Sequence, residues 1–172
     1  MSEATTILVT DDDPRMLALT TEVLREAGYK VLQASSGNEC LEAVKARHPA
    51  IVLLDVMLPD TTGIELCRQI KADESLQGTF VILLSGVQVS SEHQADGLDA
   101  GADGYIAKPV SNKELLARVQ SAVRIKQAVD ALRKTEKEQQ ERILELQEAL
   151  TESKLQEGFV PMSVLSQIIK KR

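Results

Sequence analysis

Along the first part of the chain, apolar residues come in short clusters. Each is stopped by a polar residue and followed by a longer amphipathic stretch. Ile7-Leu8-Val9 runs into Asp11-Asp12-Asp13. Pro14 to Ala27 then sets Met16, Leu17, Leu19, Val23 and Leu24 at helical spacing before Gly28. Tyr29 to Ala34 reads as a strand and Ser35 to Asn38 as a turn, and a helix with Cys40, Leu41 and Val44 inward reaches about Arg47. Ile51 to Leu54 is wholly apolar and ends at Asp55. A loop, Val56 to Thr62, leads through Gly63 into a helix bearing Ile64, Leu66, Cys67 and Ile70. Phe80 to Leu84 ends at Ser85-Gly86, a helix is expected around Gln94 to Ala100, and Gly104 to Ala107 ends at Lys108-Pro109. Ser111-Asn112-Lys113-Glu114 has the form of a capping box opening the last helix.

Strand and helix thus alternate five times, and several strands are continuous aliphatic runs. Such runs arise where helices cover both faces of a parallel sheet. The pattern predicts an α/β fold with a five-stranded, doubly wound parallel sheet. Sheets of this kind bind ligands beyond the carboxyl ends of their strands. There the pattern aligns Asp11 and Asp12, Asp55, Ser85 and Lys108 on one edge. Three carboxylates at close quarters repel unless a cation joins them. An oxygen-only set without His or Cys suits a hard ion such as Mg²⁺. A carboxylate at a strand end can attack phosphorus to give an acyl phosphate, with Lys108 and Ser85 on the phosphoryl oxygens. Taken singly, each residue has a plainer role: the acidic triplet as helix cap and dipole partner, with Asp13 the cap, Ser85 in a turn, Lys108 as a solvated charge, Tyr105 as a half-buried strand residue. His48 and His93 read as surface histidines.

Four stretches, ILVTDDDP (7–14), IVLLDVMLPDTTG (51–63), VILLSG (81–86) and GADGYIAKPV (101–110), occur in an order and spacing that resembles the response regulator receiver domain of two-component signalling. The resemblance spans residues 5–126 and implies a flavodoxin-like receiver fold. It implies that Asp55 is the phosphoacceptor and that Asp12 and Asp55, with the carbonyl of Met57, ligate Mg²⁺ while Asp11 acts mainly through water. Ser85 and Lys108 would contact the phosphoryl group, Ser85 and Tyr105 would form the switch, and Lys108–Pro109 would be a cis bond. The domain would then be a signalling module rather than an enzyme, supplied by a histidine kinase or phosphotransfer protein. Gly86 departs from the pattern, standing where Ala is usual.

Charge divides the chain of 172 residues and net charge −6 into unlike parts. Residues 1–121 hold 18 acids and 10 bases, a net of −8, and residues 122–172 hold 8 acids and 10 bases, a net of +2. The acidic part is unsuited to a nucleic-acid surface, and four aromatics in all leave no base-stacking platform. No apolar run approaches a membrane span. MSEATT has no secretory character. Cys40 and Cys67 match no metal or redox spacing, so a reduced core role and a cytoplasmic compartment are expected.

From Asn112 to Glu157 there is neither Gly nor Pro. At 1.5 Å per residue that predicts a helix of roughly 69 Å. Heptads place Ala122, Val129, Glu136, Ile143 and Leu150 at a, and Ile125, Leu132, Gln139, Leu146 and Ser153 at d. A parallel homodimeric coiled coil is expected, with a polar break at Glu136 and Gln139. The predicted organisation is a receiver over 1–121, a coiled-coil extension over 122–157 and a short tail over 158–172. The tail VPMSVLSQIIKKR resembles a segment that follows such coils in some multidomain regulators, where cysteines replace Ser163 and Ser166. A phosphorylation-independent scaffold, or the N-terminal regulatory fragment of a larger effector, is the alternative. A haloacid-dehalogenase-type phosphatase would need a second Asp where Met57 stands. No helix-turn-helix follows the receiver, which disfavours a DNA-binding regulator within this chain.

Overall fold

The computed structural model describes residues 4–86, 91–158 and 161–170, with the side chains of 91–94 outside the description. The elements run β1 (Thr6–Thr10), α1 (Pro14–Glu26), β2 (Lys30–Ala34), α2 (Gly37–Arg47), β3 (Ile51–Asp55), α3 (Gly63–Ala72), β4 (Phe80–Ser85), α4 (Ser91–Asp99), β5 (Gly104–Ala107), α5 (Asn112–Gln156) and α6 (Met162–Ile169). All five strands are parallel, in the order β2-β1-β3-β4-β5. This is the expected doubly wound sheet. Its order reverses between β1 and β3, which opens a crevice at their carboxyl ends.

The two faces of the sheet carry separate cores, because successive strand side chains point to opposite sides. Leu8, Val52, Leu54, Val81 and Leu83 meet α2 and α3 through Cys40, Val44, Leu66, Cys67 and Ile70. Ile7, Val9, Ile51, Leu53, Ile82, Leu84 and Ile106 meet α1 and the start of α5 through Leu24, Leu115, Val119 and Val123. Burying one such side chain contributes about 1.5–3 kcal/mol. The two cysteines are free and buried, and burial pushes each thiol up to about 11. They are core residues, as the pattern suggests.

Helix starts follow short-range chemistry. Asp13 caps α1 by accepting from the Arg15 N–H at 2.8 Å, the plainer role foreseen for it. Ser111 accepts from Glu114 N–H at 3.2 Å at the start of α5. α4 begins at Ser91, three residues before the expected Gln94. That first turn is wholly polar and carries no apolar period to announce it. His93 falls among the side chains outside the description. Gly63 has a steric reason: a Cβ there would lie 2.2 Å from the carbonyl oxygen of Asp55. The start of α3 thus closes on the end of β3.

The chain divides into two units, 1–128 and 129–172. The second holds the rest of α5 and α6. Its helix exposes Leu132, Ile143, Leu144, Leu146, Leu150 and Leu155. Gly158, in the left-handed region at φ 74°, donates its N–H to Leu155 and closes α5 one residue before the predicted Glu157. No helix among the described residues is long and apolar enough to cross a membrane.

Candidate functional site

Strand ends deliver the site. β1 stops at Thr10 and hands on Asp11 and Asp12, β3 ends in Asp55, β4 ends in Ser85, and Lys108 follows β5. Parallel pairing brings these ends together. Asp11, Asp55 and Ser85 are buried, while Asp12 is exposed. One carboxylate oxygen from each of Asp11, Asp12 and Asp55 lies within 4.8 Å of the others.

Lys108 holds the centre. Its Nζ donates to Asp55 Oδ2 at 2.6 Å and to Asp11 Oδ2 at 2.9 Å. The other oxygens of these acids are held by backbone: Asp55 Oδ1 accepts from Met57 N–H at 3.0 Å, and Asp11 Oδ1 from Asp13 N–H at 2.9 Å. Each side chain is thereby oriented by two partners. The Ser85 hydroxyl donates to the Gly86 carbonyl at 3.4 Å, a long bond that leaves it ready for a better acceptor. The peptide bond between Lys108 and Pro109 is cis.

The electrostatics follow from burial against pairing. Burial pushes the Asp55 carboxyl above the usual carboxylate range; bonds from Lys108 and Met57 oppose this, and the charge of Asp11 adds to it. Burial alone would lower Lys108, but the two carboxylates override it and hold the ammonium above its ordinary value. The cluster is therefore short of positive charge. Its donors are oxygens throughout, its net charge is negative even with Lys108, and Asp12 gives it a solvent-facing side. That chemistry fits a hard divalent cation such as Mg²⁺.

Tyr105, expected from the resemblance as a switch residue, has its hydroxyl buried without a hydrogen-bond partner among the described residues. Tyr105 packs against the core face that carries Leu83, and a Cβ on Gly97 would come within 3.9 Å of its ring. A buried phenol without a partner carries a desolvation cost, so its position is one that a rearrangement can relieve. Composition alone could not show this, since it depends on which way the ring turns.

The family model for the response regulator receiver domain matches residues 7–120. The chain belongs to that family. Its receiver is 40% identical over 118 residues to the DNA-binding response regulator MtrA of Mycolicibacterium smegmatis, covering 69% of this chain and 50% of that protein. It is 38% identical over 119 residues to the phosphate regulon transcriptional regulatory protein PhoB of Pseudomonas aeruginosa, covering 69% and 52%. The chain thus spans about half the length of the curated relatives it matches. Among solved structures, a CheY-like response regulator receiver domain protein from Methanospirillum hungatei superposes with a TM-score of 0.69 at 31% identity, covering 73% of this chain and 98% of that one. The receiver is a signalling phosphoacceptor domain of the two-component type, not a conventional enzyme.

Proposed function

We propose that Asp55 accepts a phosphoryl group from a partner histidine kinase or phosphotransfer protein and that the receiver reports its phosphorylation through a dimeric coiled coil. The observation that carries the first half is the double hydrogen bond from Lys108 to Asp11 and Asp55, at the strand ends of a family-matched sheet. Transfer forms a bond between an Asp55 carboxylate oxygen and phosphorus as the phosphorus–nitrogen bond of a phosphohistidine breaks. The electron pair leaves with the imidazole. Asp12, Asp55 and the Met57 carbonyl would hold Mg²⁺, with Asp11 acting mainly through water; when bound, the ion supplies positive charge against the phosphoryl oxygens. Lys108 is already seated to pair with a phosphoryl oxygen, and Ser85 to donate its hydroxyl to another. Drawing Ser85 toward the phosphoryl group would open space that Tyr105 can enter, the family's switch pair.

The second half rests on the exposed leucines of α5 at heptad spacing. A parallel homodimer covers them, with Glu136 and Gln139 as the polar layers that set register. MtrA is named as DNA-binding and PhoB as a transcriptional regulator, each about twice the length matched here. The net charge of −8 over residues 1–121 keeps nucleic acid out of the reading for this chain.

Incubation with Mg²⁺ and acetyl phosphate tests the acceptor. The intact mass is expected to rise by one phosphoryl group in the wild type and not in Asp55→Asn. No gain in the wild type would leave the phosphorylation-independent scaffold. For the coil, Ile143→Cys stands at an a position, where a parallel dimer sets it against its own counterpart. Rapid disulfide formation is expected, and a monomer by sedimentation at micromolar concentration defeats the dimer.

A further inference from the structure

Asp60 takes no part in the chemistry above, yet it is the tip of the loop that follows Asp55. Such tips are ordinarily mobile. This one is pinned along its length. At its base the Gly63 N–H donates to the Val56 carbonyl at 2.8 Å, and Met57 bridges Thr62 in antiparallel fashion. At its tip the Asp60 carboxylate spans two backbone donors of α2. Oδ1 accepts from Gly37 N–H at 2.8 Å and Oδ2 from Asn38 N–H at 2.9 Å.

Helix α2 does not need Asp60 as its ordinary cap. Ser36 already accepts from Glu39 N–H at 3.2 Å. Asp60 instead takes the two first-turn donors that Ser36 leaves over. Using both oxygens fixes the loop's orientation as well as its position. The surfaces are fitted closely: a Cβ on Gly37 would lie 2.3 Å from Thr61 Cγ2 and 3.2 Å from Asp60 Oδ1. The Gly37 and Asn38 amides hold the Asp60 carboxyl below the usual carboxylate range, so it stays charged at neutral and mildly acid pH.

We propose that Asp60 is a positioning residue for the cation and phosphoryl site: by locking the Val56–Thr62 loop onto the start of α2, it holds Met57 in place against Asp55. This rests on the reading of Asp12, Asp55 and Met57 as the Mg²⁺ site. The Met57 side chain is 72% exposed and adds little packing, so its carbonyl is placed by the backbone contacts of the loop. Without the lock, each cation bound must also order the loop, and affinity falls by that cost.

The test is direct Mg²⁺ titration of the full chain by calorimetry, beside thermal unfolding of each variant. Asp60→Ala is expected to bind about tenfold or more weakly, the usual effect of removing a support behind a ligand, with the unfolding midpoint close to wild type. Asp60→Asn keeps one acceptor oxygen and loses less. Gly37→Ala attacks the lock from the other side and weakens Mg²⁺ with Asp60 intact. The double variant is no weaker than the weaker single, since both open one contact. In acetyl phosphate reactions, Asp60→Ala needs more Mg²⁺ but reaches the same final extent. Affinity within about twofold of wild type in Asp60→Ala overturns the proposal whatever Gly37→Ala does, as that range is below any supporting role. If the wild type takes up no Mg²⁺, or takes it up equally as Asp55→Asn, the cation site itself fails and the positioning role with it. If wild type and Asp55→Asn differ as expected while Asp60→Ala matches wild type, only the positioning role fails.

Discussion

Leucine meets opposite fates in the two units. In the sheet, Leu8, Leu24, Leu53, Leu54 and Leu83 are fully buried. Beyond Ala128, Leu132 is 64% exposed and Leu146 56%. The sheet closes its own core, with helices on both faces. In the second unit the apolar side chains of α5 stay exposed, as do Met162, Ile168 and Ile169 of α6. Where a pattern is satisfied inside one chain, it specifies a fold; where it is left exposed, it supports the association proposed above.

The sharpest way to break that contrast is to remove the same side chain from each unit. Leu54→Ala opens a cavity in a close-packed core, and urea unfolding should show a loss of about 2–5 kcal/mol. Leu132→Ala, studied at concentrations low enough for monomer, should stay within about 0.5 kcal/mol of wild type. If α5 pairs as proposed, the effect of this substitution belongs to association and should appear as a weaker dimer by sedimentation. Equal losses in dilute solution would mean that the seam is already buried within one chain.

A second contrast lies in what each unit gains from a divalent cation. Only the sheet edge gathers three carboxylates within reach of one another among the described residues. A ligand that binds the folded state alone stabilises it by RT ln(1 + [L]/Kd), or about 2.7 kcal/mol at a hundredfold excess over Kd. Mg²⁺ should therefore raise the unfolding midpoint of the receiver, chelation should reverse it, and Asp12→Asn should blunt it. Helicity lost from the second unit on chelation would break the contrast.

These expectations also mark what could be read from residues alone. The strands were legible because Ile51 to Leu54 and Val81 to Leu84 are unbroken aliphatic runs. The convergence of Asp11, Asp55 and Lys108 followed from parallel strands ending on one edge, although Lys108 and Asp11 stand 97 positions apart. The start of α4 was hidden, since its first turn is polar. The hold of Asp60 on Gly37 and Asn38 was hidden too, because it joins a loop to the first turn of α2, 23 and 22 positions away, and no periodicity links them. The direction in which Tyr105 buries its hydroxyl is a rotamer, and no spacing encodes a rotamer. The heptads of α5 were plain as a pattern, and their Leu132, Ile143, Leu146 and Leu150 remain exposed in the single chain.

The smallest expected effect concerns the acid side of stability, where the sheet unit carries an exposed carboxylate fixed by backbone. Asp60 has its folded pKa depressed below the ordinary 3.8, chiefly by the Gly37 amide and then that of Asn38. For a depressed carboxylate the sign is definite: its contribution is present in full above the unfolded value and lost as pH falls through the folded one. The unfolding free energies of wild type and Asp60→Asn should therefore differ by a constant amount from neutral pH down to about 3.8, and converge below it. Glu39 and Asp73 are depressed in the same sense, by bonds from Ser35 and Ser75. Asp73 is common to both proteins and cancels, whereas Glu39, which the charge of Asp60 pushes up, is depressed slightly further in Asp60→Asn. Solvent screening at an exposed site keeps the difference small. If it widens on acidification instead, the carboxylate is not held by the amides of α2, and the lock on the Met57 loop loses its electrostatic basis.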